Sequence, residues 1–140
     1  MNKDAERLIR GSWMRLVPVR LTAAQIFYER LFEIDPSAKA LFDGKPMHVQ
    51  YDKFAHTIDT LVQALDFPAS IIDDLQLLAR RHVGYGVHLE QYASVGAALL
   101  WALERSLGSE WTPEVHRAWG ELYLFVEGVM KREAAGTATA

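Results

Sequence analysis

An all-α fold is what this sequence predicts, and three observations predict it. Apolar residues recur at three- and four-residue steps along most of the chain. No stretch sustains the period-two alternation of a strand, and no hairpin pattern breaks the chain. Prolines and glycines fall at the borders of the periodic segments, where helices start and stop. Six or more helices of unequal length are expected, too many for an up–down four-helix bundle.

Each element has a local reason. Leu8, Ile9, Trp13, Leu16 and Val17 form the first apolar stripe, and Pro18 ends it. A second helix is expected from about 19 to 34 through Ile26, Phe27 and Leu31. In "DPSAKALF" (35–42), Asp35 is a good N-cap and Pro36 a good first helical residue, so a short helix of about two turns follows. Tyr51, Phe54, Ile58, Leu61, Val62 and Leu65 mark a helix over 50–65, with Pro68 at its end. Leu75, Leu78 and His82 step by three and four, and the glycines of "HVGYGV" break that helix just after His82. Tyr92, Val95, Leu99, Ala102 and Leu103 define the next helix, stopped by Gly108. "TPE" (112–114) opens the last, which carries Val115, Ala118, Trp119, Leu122, Val126 and Val129. The small residues at 134–140 are expected to fray.

The composition fits a single soluble domain over residues 1–140, half hydrophobic and a quarter charged. The net charge of −3 carries no concentrated basic footprint for nucleic acid. With no cysteine, the chain forms no disulfide, thiolate-ligated iron site or covalent haem attachment. The N-terminus lacks the apolar stretch of a signal peptide, and the longest apolar run falls short of the ~20 residues that cross a bilayer. The default expectation is a cytoplasmic protein with no membrane insertion.

The common catalytic signatures are missing: no H-E-x-x-H, no G-x-S-x-G and no phosphate-cradling glycine loop. His48, His56, His82, His88 and His116 include no pair at the spacing that sets two zinc ligands on one helical turn. His82 stands apart because it lies on an apolar stripe. It is either an ordinary core histidine or an axial ligand, with one ring nitrogen toward a cavity and the other bonded to the backbone near Leu78. The facing wall would be the helix of Gln50 and Phe54, with Tyr28 and Phe42 closing a pocket. Taken singly, each of these residues has an ordinary structural use.

Taken together they resemble the globin family across residues 4 to 133. The stretches that carry the likeness are "FYERLF" (27–32), "DPSAKALF" (35–42), "LARRHVGYGV" (78–87), "YASVGAALLWALERSLG" (92–108) and "AWGELY" (118–123). They are most similar to single-domain bacterial haemoglobins and to the globin domain of flavohaemoglobins, with neuroglobin close behind. The resemblance implies a three-over-three helical sandwich around haem b, with His82 as proximal iron ligand. It puts Phe42 against the haem, Gln50 and Phe54 on the distal helix, and Tyr28 as distal tyrosine. Val87, Tyr92 and Val95 fall on the proximal side, and Arg81 near a haem propionate. Two departures follow from the same alignment. The distal residue is glutamine rather than histidine. The glutamate that pairs with tyrosine and proximal histidine in flavohaemoglobins has Ala134 in its place, with Glu133 beside it.

The implied ligands are O2, CO and NO. The phenol of Tyr28 and the amide of Gln50 are hydrogen-bond donors to bound gas. Glutamine is a poor sixth ligand, so an open or water-bound distal site is expected. His56 should point away from the haem, and His48 has to swing in to reach it. Two functions follow: nitric oxide dioxygenation with an external reductase, none being expected within 140 residues, or oxygen storage and supply without turnover.

Overall fold

The computed structural model describes residues 1–139, and its order is entirely helical. Seven α-helices run through them: α1 (Lys3–Leu16), α2 (Arg20–Ile34), α3 (Pro36–Lys39), α4 (Met47–Gln63), α5 (Pro68–Gly84), α6 (Gln91–Leu107) and α7 (Pro113–Thr139). Short 3-10 turns occupy Val17–Val19, Ala40–Phe42 and Gly108–Glu110. No strand occurs among the described residues.

The boundaries follow the capping chemistry. Asn2 caps α1, its side-chain oxygen accepting from Ala5 N at 2.7 Å. Asp4 and Glu6 then lie in the first turn, where the helix dipole favours negative charge. Pro18 does not open a loop; it sits in the 3-10 turn that passes α1 directly into α2. Asp35 caps α3, accepting from Ser37 N at 3.1 Å. α4 begins at Met47, three residues earlier than the apolar stripe suggests, because its first turn mixes apolar Met47 and Val49 with polar His48 and Gln50 and is only half-buried. α7 continues through Thr139 with Ala134 buried on it; of the 134–140 stretch expected to fray, residue 140 lies outside the described residues.

Packing is layered. α1, α4 and α5 lie over α2, α6 and α7, with α1 and α5 against α7, α4 against α2, and α2 against α6. Trp119 is buried on α7 and donates through Nε1 to Ser12 Oγ on α1 at 2.8 Å. Ser12 passes its own proton to Leu8 O at 2.7 Å, so no polar group of this pair is left unpaired in the core. Trp13 reaches from α1 to α4 and donates to Asp59 Oδ1 at 3.0 Å.

α6 and α7 approach closely at Gly96, where a Cβ would lie 2.5 Å from Tyr123 Cε2. The Tyr123 ring cannot easily yield, because its hydroxyl donates to Tyr92 O. Gly96→Ala is therefore expected to cost ~1–3 kcal/mol by overpacking, read as a lower midpoint of urea unfolding. The same change in a Tyr123→Leu background should cost markedly less. Equal costs in both backgrounds would show that the ring is not the obstacle.

Candidate functional site

A deep cavity of about 840 Å³ opens between α2, α4, α5, α6 and α7. That is within the range of cofactor and ligand sites. All nine residues picked out from the sequence line it: Tyr28, Phe42, Gln50, Phe54, Arg81, His82, Val87, Tyr92 and Val95. Leu31, Leu61, Leu99, Val126 and Met130 supply further apolar wall. No Asp or Glu is among the lining residues.

His82 lies near the end of α5, one turn after Leu78. Its Nδ1 is 2.8 Å from Leu78 O. That bond fixes the tautomer with the proton on Nδ1 and leaves Nε2 as the lone-pair nitrogen. Nε2 has no protein hydrogen-bond partner among the described residues. Burial lowers the His82 pKa below its ordinary 6.5, and the bond to Leu78 offsets part of that. The ring is therefore neutral near pH 7, the form that can ligate a metal. Beyond it the helix ends, and Gly86 at φ +89° turns the chain so that Val87 returns to the cavity.

Tyr28 projects from α2 into an aromatic cluster. Its ring centroid lies 4.9 Å from Phe27, 5.3 Å from Phe42, 5.8 Å from Tyr51, 6.0 Å from Phe32 and 6.1 Å from Phe54. Phe27 and Phe54 stack at 4.4 Å across the α2–α4 contact. These contacts hold the Tyr28 ring, while its hydroxyl makes no hydrogen bond among the described residues. Burial, with a smaller contribution from Tyr51, pushes the phenol pKa up to about 12. Tyr28 thus keeps its proton and remains a donor. Gln50, in the first turn of α4, adds an amide to the same cavity.

Tyr92 also lines the cavity, and burial raises its pKa. Its hydroxyl is buried without a hydrogen-bond partner, so it makes no bond to His82. Glu133 is engaged elsewhere, 3.4 Å from Arg80 Nε on the outer side of α5. Arg81 is exposed at the rim.

Gln91 closes one side. This buried amide donates to Asp35 Oδ2 at 3.3 Å and accepts from His88 N at 2.8 Å, tying the start of α6 to the cap of α3. His48 is exposed and does not line the cavity. His56, in the third turn of α4, is exposed and lies at the rim of the cavity.

Lys45, Lys53 and Tyr123 were not singled out from the sequence. The helical phase shared by Gln50, Lys53, Phe54 and Thr57 was a usable signal for Lys53. Lys45 follows a loop and Tyr123 sits on a distant helix, so neither had one.

The residues fit a haem. The interior is apolar, it has a neutral imidazole with a free nitrogen, and the charged residues at its mouth are cationic, suiting the carboxylates of a porphyrin.

Comparison with known proteins agrees. The globin family profile matches residues 25–130. A flavohemoprotein of Xylella fastidiosa (strain 9a5c) is 36% identical over 130 residues, covering 91% of this chain and 32% of that protein. The chain thus spans about a third of the length of that relative. The neuroglobin of Chaenocephalus aceratus is 34% identical over 143 residues, covering 93% of this chain and 89% of that one. Among solved structures, the fold matches an engineered carbene transferase built on a Rhodothermus marinus protein proposed to be a nitric oxide dioxygenase. The TM-score is 0.88 at 22% identity, covering 99% of this chain and 96% of that one. It also matches a hexacoordinated haem protein from an anhydrobiotic tardigrade, with a TM-score of 0.87 at 16% identity and 96% of each chain covered. The expected three-over-three sandwich is the fold found, and the chain belongs to the globin family.

Proposed function

We propose that this globin holds haem b through His82, binds O2 reversibly as well as CO and NO, and converts nitric oxide to nitrate with electrons from a separate reductase. The observation that carries the reading is the pairing, in one cavity, of a neutral imidazole with a free Nε2 and a phenol that keeps its proton. When bound, the haem supplies an iron that holds the diatomic gas and performs the oxidation.

The chain's own residues do the rest. Leu78 O holds His82 in the ligating tautomer. Phe42, Val87 and Val95 present apolar surface to the macrocycle, and Arg81 offers charge to one carboxylate. Tyr28 and Gln50 direct donors at the side where the gas sits. A donor aimed at developing negative charge in a dry site is worth far more than one in water. Phe27, Phe42 and Phe54, packed around Tyr28, keep that side dry. Gln50 is no strong ligand, so the distal position stays open to gas. The Xylella flavohemoprotein and the Rhodothermus protein are relatives whose descriptions accord with this reading. A cytoplasmic setting, where reductants are at hand, goes with it.

The test is rapid mixing of the oxygen-saturated ferrous protein with nitric oxide, following absorbance and nitrate. Stoichiometric nitrate in one step, much faster than oxygen release, is expected. Oxidation no faster than oxygen release would leave gas exchange as the chemistry, and storage or supply would replace catalysis.

A further inference from the structure

We propose that the cavity mouth is the docking face for an acidic electron-donor protein, with Lys45, Lys53 and Arg81 as its cationic contacts. The inference rests on the redox reading above and names the chemistry of the partner.

The charge distribution carries it. The chain has 18 acidic and 15 basic residues, so as a whole it repels an acidic partner. Yet the formally charged residues lining the cavity are Lys45, Lys53 and Arg81, all basic and all exposed. None of the three forms an ion pair among the described residues; Lys3, Arg7, Arg10, Arg15, Arg30, Arg80 and Lys131 do, and Arg20, Lys39, Arg105, Arg117 and Arg132, which do not, lie outside the cavity lining. Lys45 is held by aromatic faces instead, its Nζ 4.9 Å from the Tyr85 centroid and 5.9 Å from that of Phe42. Its charge is therefore not neutralised by a neighbouring carboxylate.

Three acidic residues lie nearby in sequence or structure. Asp43 and Asp52 are exposed, but neither lines the cavity. Asp35 is half-buried and engaged by Ser37 and Gln91. The cations also outnumber the two carboxylates of a bound haem b, so the mouth stays positive when loaded.

A positive mouth on a negative molecule does more than attract. It orients. An acidic donor is repelled elsewhere and steered to the one place from which the haem edge is reachable. Tyr85, 55% exposed at the same rim, adds apolar contact surface. Electron-transfer encounters need little more, since their interfaces are small and transient.

The experiment is anaerobic stopped-flow reduction of the ferric holoprotein, once its haem is seen in the absorption spectrum. One donor is a reduced flavodoxin, an acidic flavoprotein. The other is reduced lumiflavin, small and without a phosphate, which needs no docking face. The flavodoxin rate should fall ~tenfold or more between about 20 mM and about 0.5 M salt, as screening shortens the field. At low salt, a Lys45→Glu/Lys53→Glu variant should lower the ratio of flavodoxin rate to lumiflavin rate ~tenfold or more. Using the ratio removes any shift in haem seating or potential, which affects both donors alike. Arg117→Glu, exposed on α7 away from the cavity, should leave the ratio unchanged. A flavodoxin rate that is flat or rises with salt, or a ratio that ignores the two lysines, would overturn the proposal. No nitric oxide is present, so that outcome leaves the gas chemistry standing. Slow nitrate formation would likewise leave this measurement intact.

Discussion

His82→Ala is expected to yield a folded chain that no longer retains haem. The side chain is half-buried and its Nδ1 is bound to the helix, so its one available nitrogen belongs to the cavity. Losing even an outer partner of a metal ligand costs ~10–100-fold in affinity, and losing the ligand itself should cost more. Haem transfer to excess apomyoglobin, followed by absorbance, measures the loss, and far-ultraviolet circular dichroism checks the helices. His82→Gly with added imidazole is the sharper arm. The small residue leaves room for a free imidazole to take the vacated position, so haem retention should return with imidazole concentration. A His82→Ala protein with unchanged haem retention and an unchanged ferrous spectrum would remove His82 as the axial ligand.

Tyr28→Phe should release oxygen ~tenfold or more faster while leaving the fold intact. The change deletes one hydroxyl and keeps the ring, which five aromatic neighbours hold in place. A hydrogen bond to a charged group contributes ~1.5–3 kcal/mol, or ~10–100-fold in an equilibrium constant. The raised pKa of the phenol makes the effect constant across the neutral range, because the proton stays on at every working pH. Carbon monoxide gathers less negative charge on its outer atom, so its release should change less. Flash photolysis and ligand-replacement mixing give both rates. Equal acceleration for the two gases would mean that Tyr28 shapes the cavity rather than donating to its occupant.

Much of this was legible in one dimension because helices write their packing into sequence. Leu75, Leu78 and His82 share a helical face, and that phase brought His82 to the cavity before any contact was known. Asp35 and Pro36 announced α3 through local capping, which depends on a few adjacent residues. Tyr28, Phe54, His82, Tyr92 and Val95 meet around one cavity because the direction of each is set by its own helix, whereas Phe42 comes from a 3-10 turn and Val87 from the loop after α5. The boundaries were less legible. Mixed, half-buried first turns, as at Met47, carry little periodic signal, and a small core residue such as Ala134 does not stand out in a run of small residues.

By itself, then, the sequence determined the helices, their buried faces and the family likeness, since these depend on spacing along the chain. Tertiary structure alone decided which side chains from distant helices complete one another. Gly96 proved necessary because Tyr123, 27 positions on, lies across the gap its missing Cβ leaves. Glu133 turned to Arg80, while the Tyr92 hydroxyl was left buried without a partner. The cationic mouth arose because Lys45 from a loop, Lys53 from α4 and Arg81 from α5 converge on one rim. Such convergence is set by how whole helices cross. No local pattern encodes it, because the charges that sum at one rim are separated along the chain by everything that folds between them.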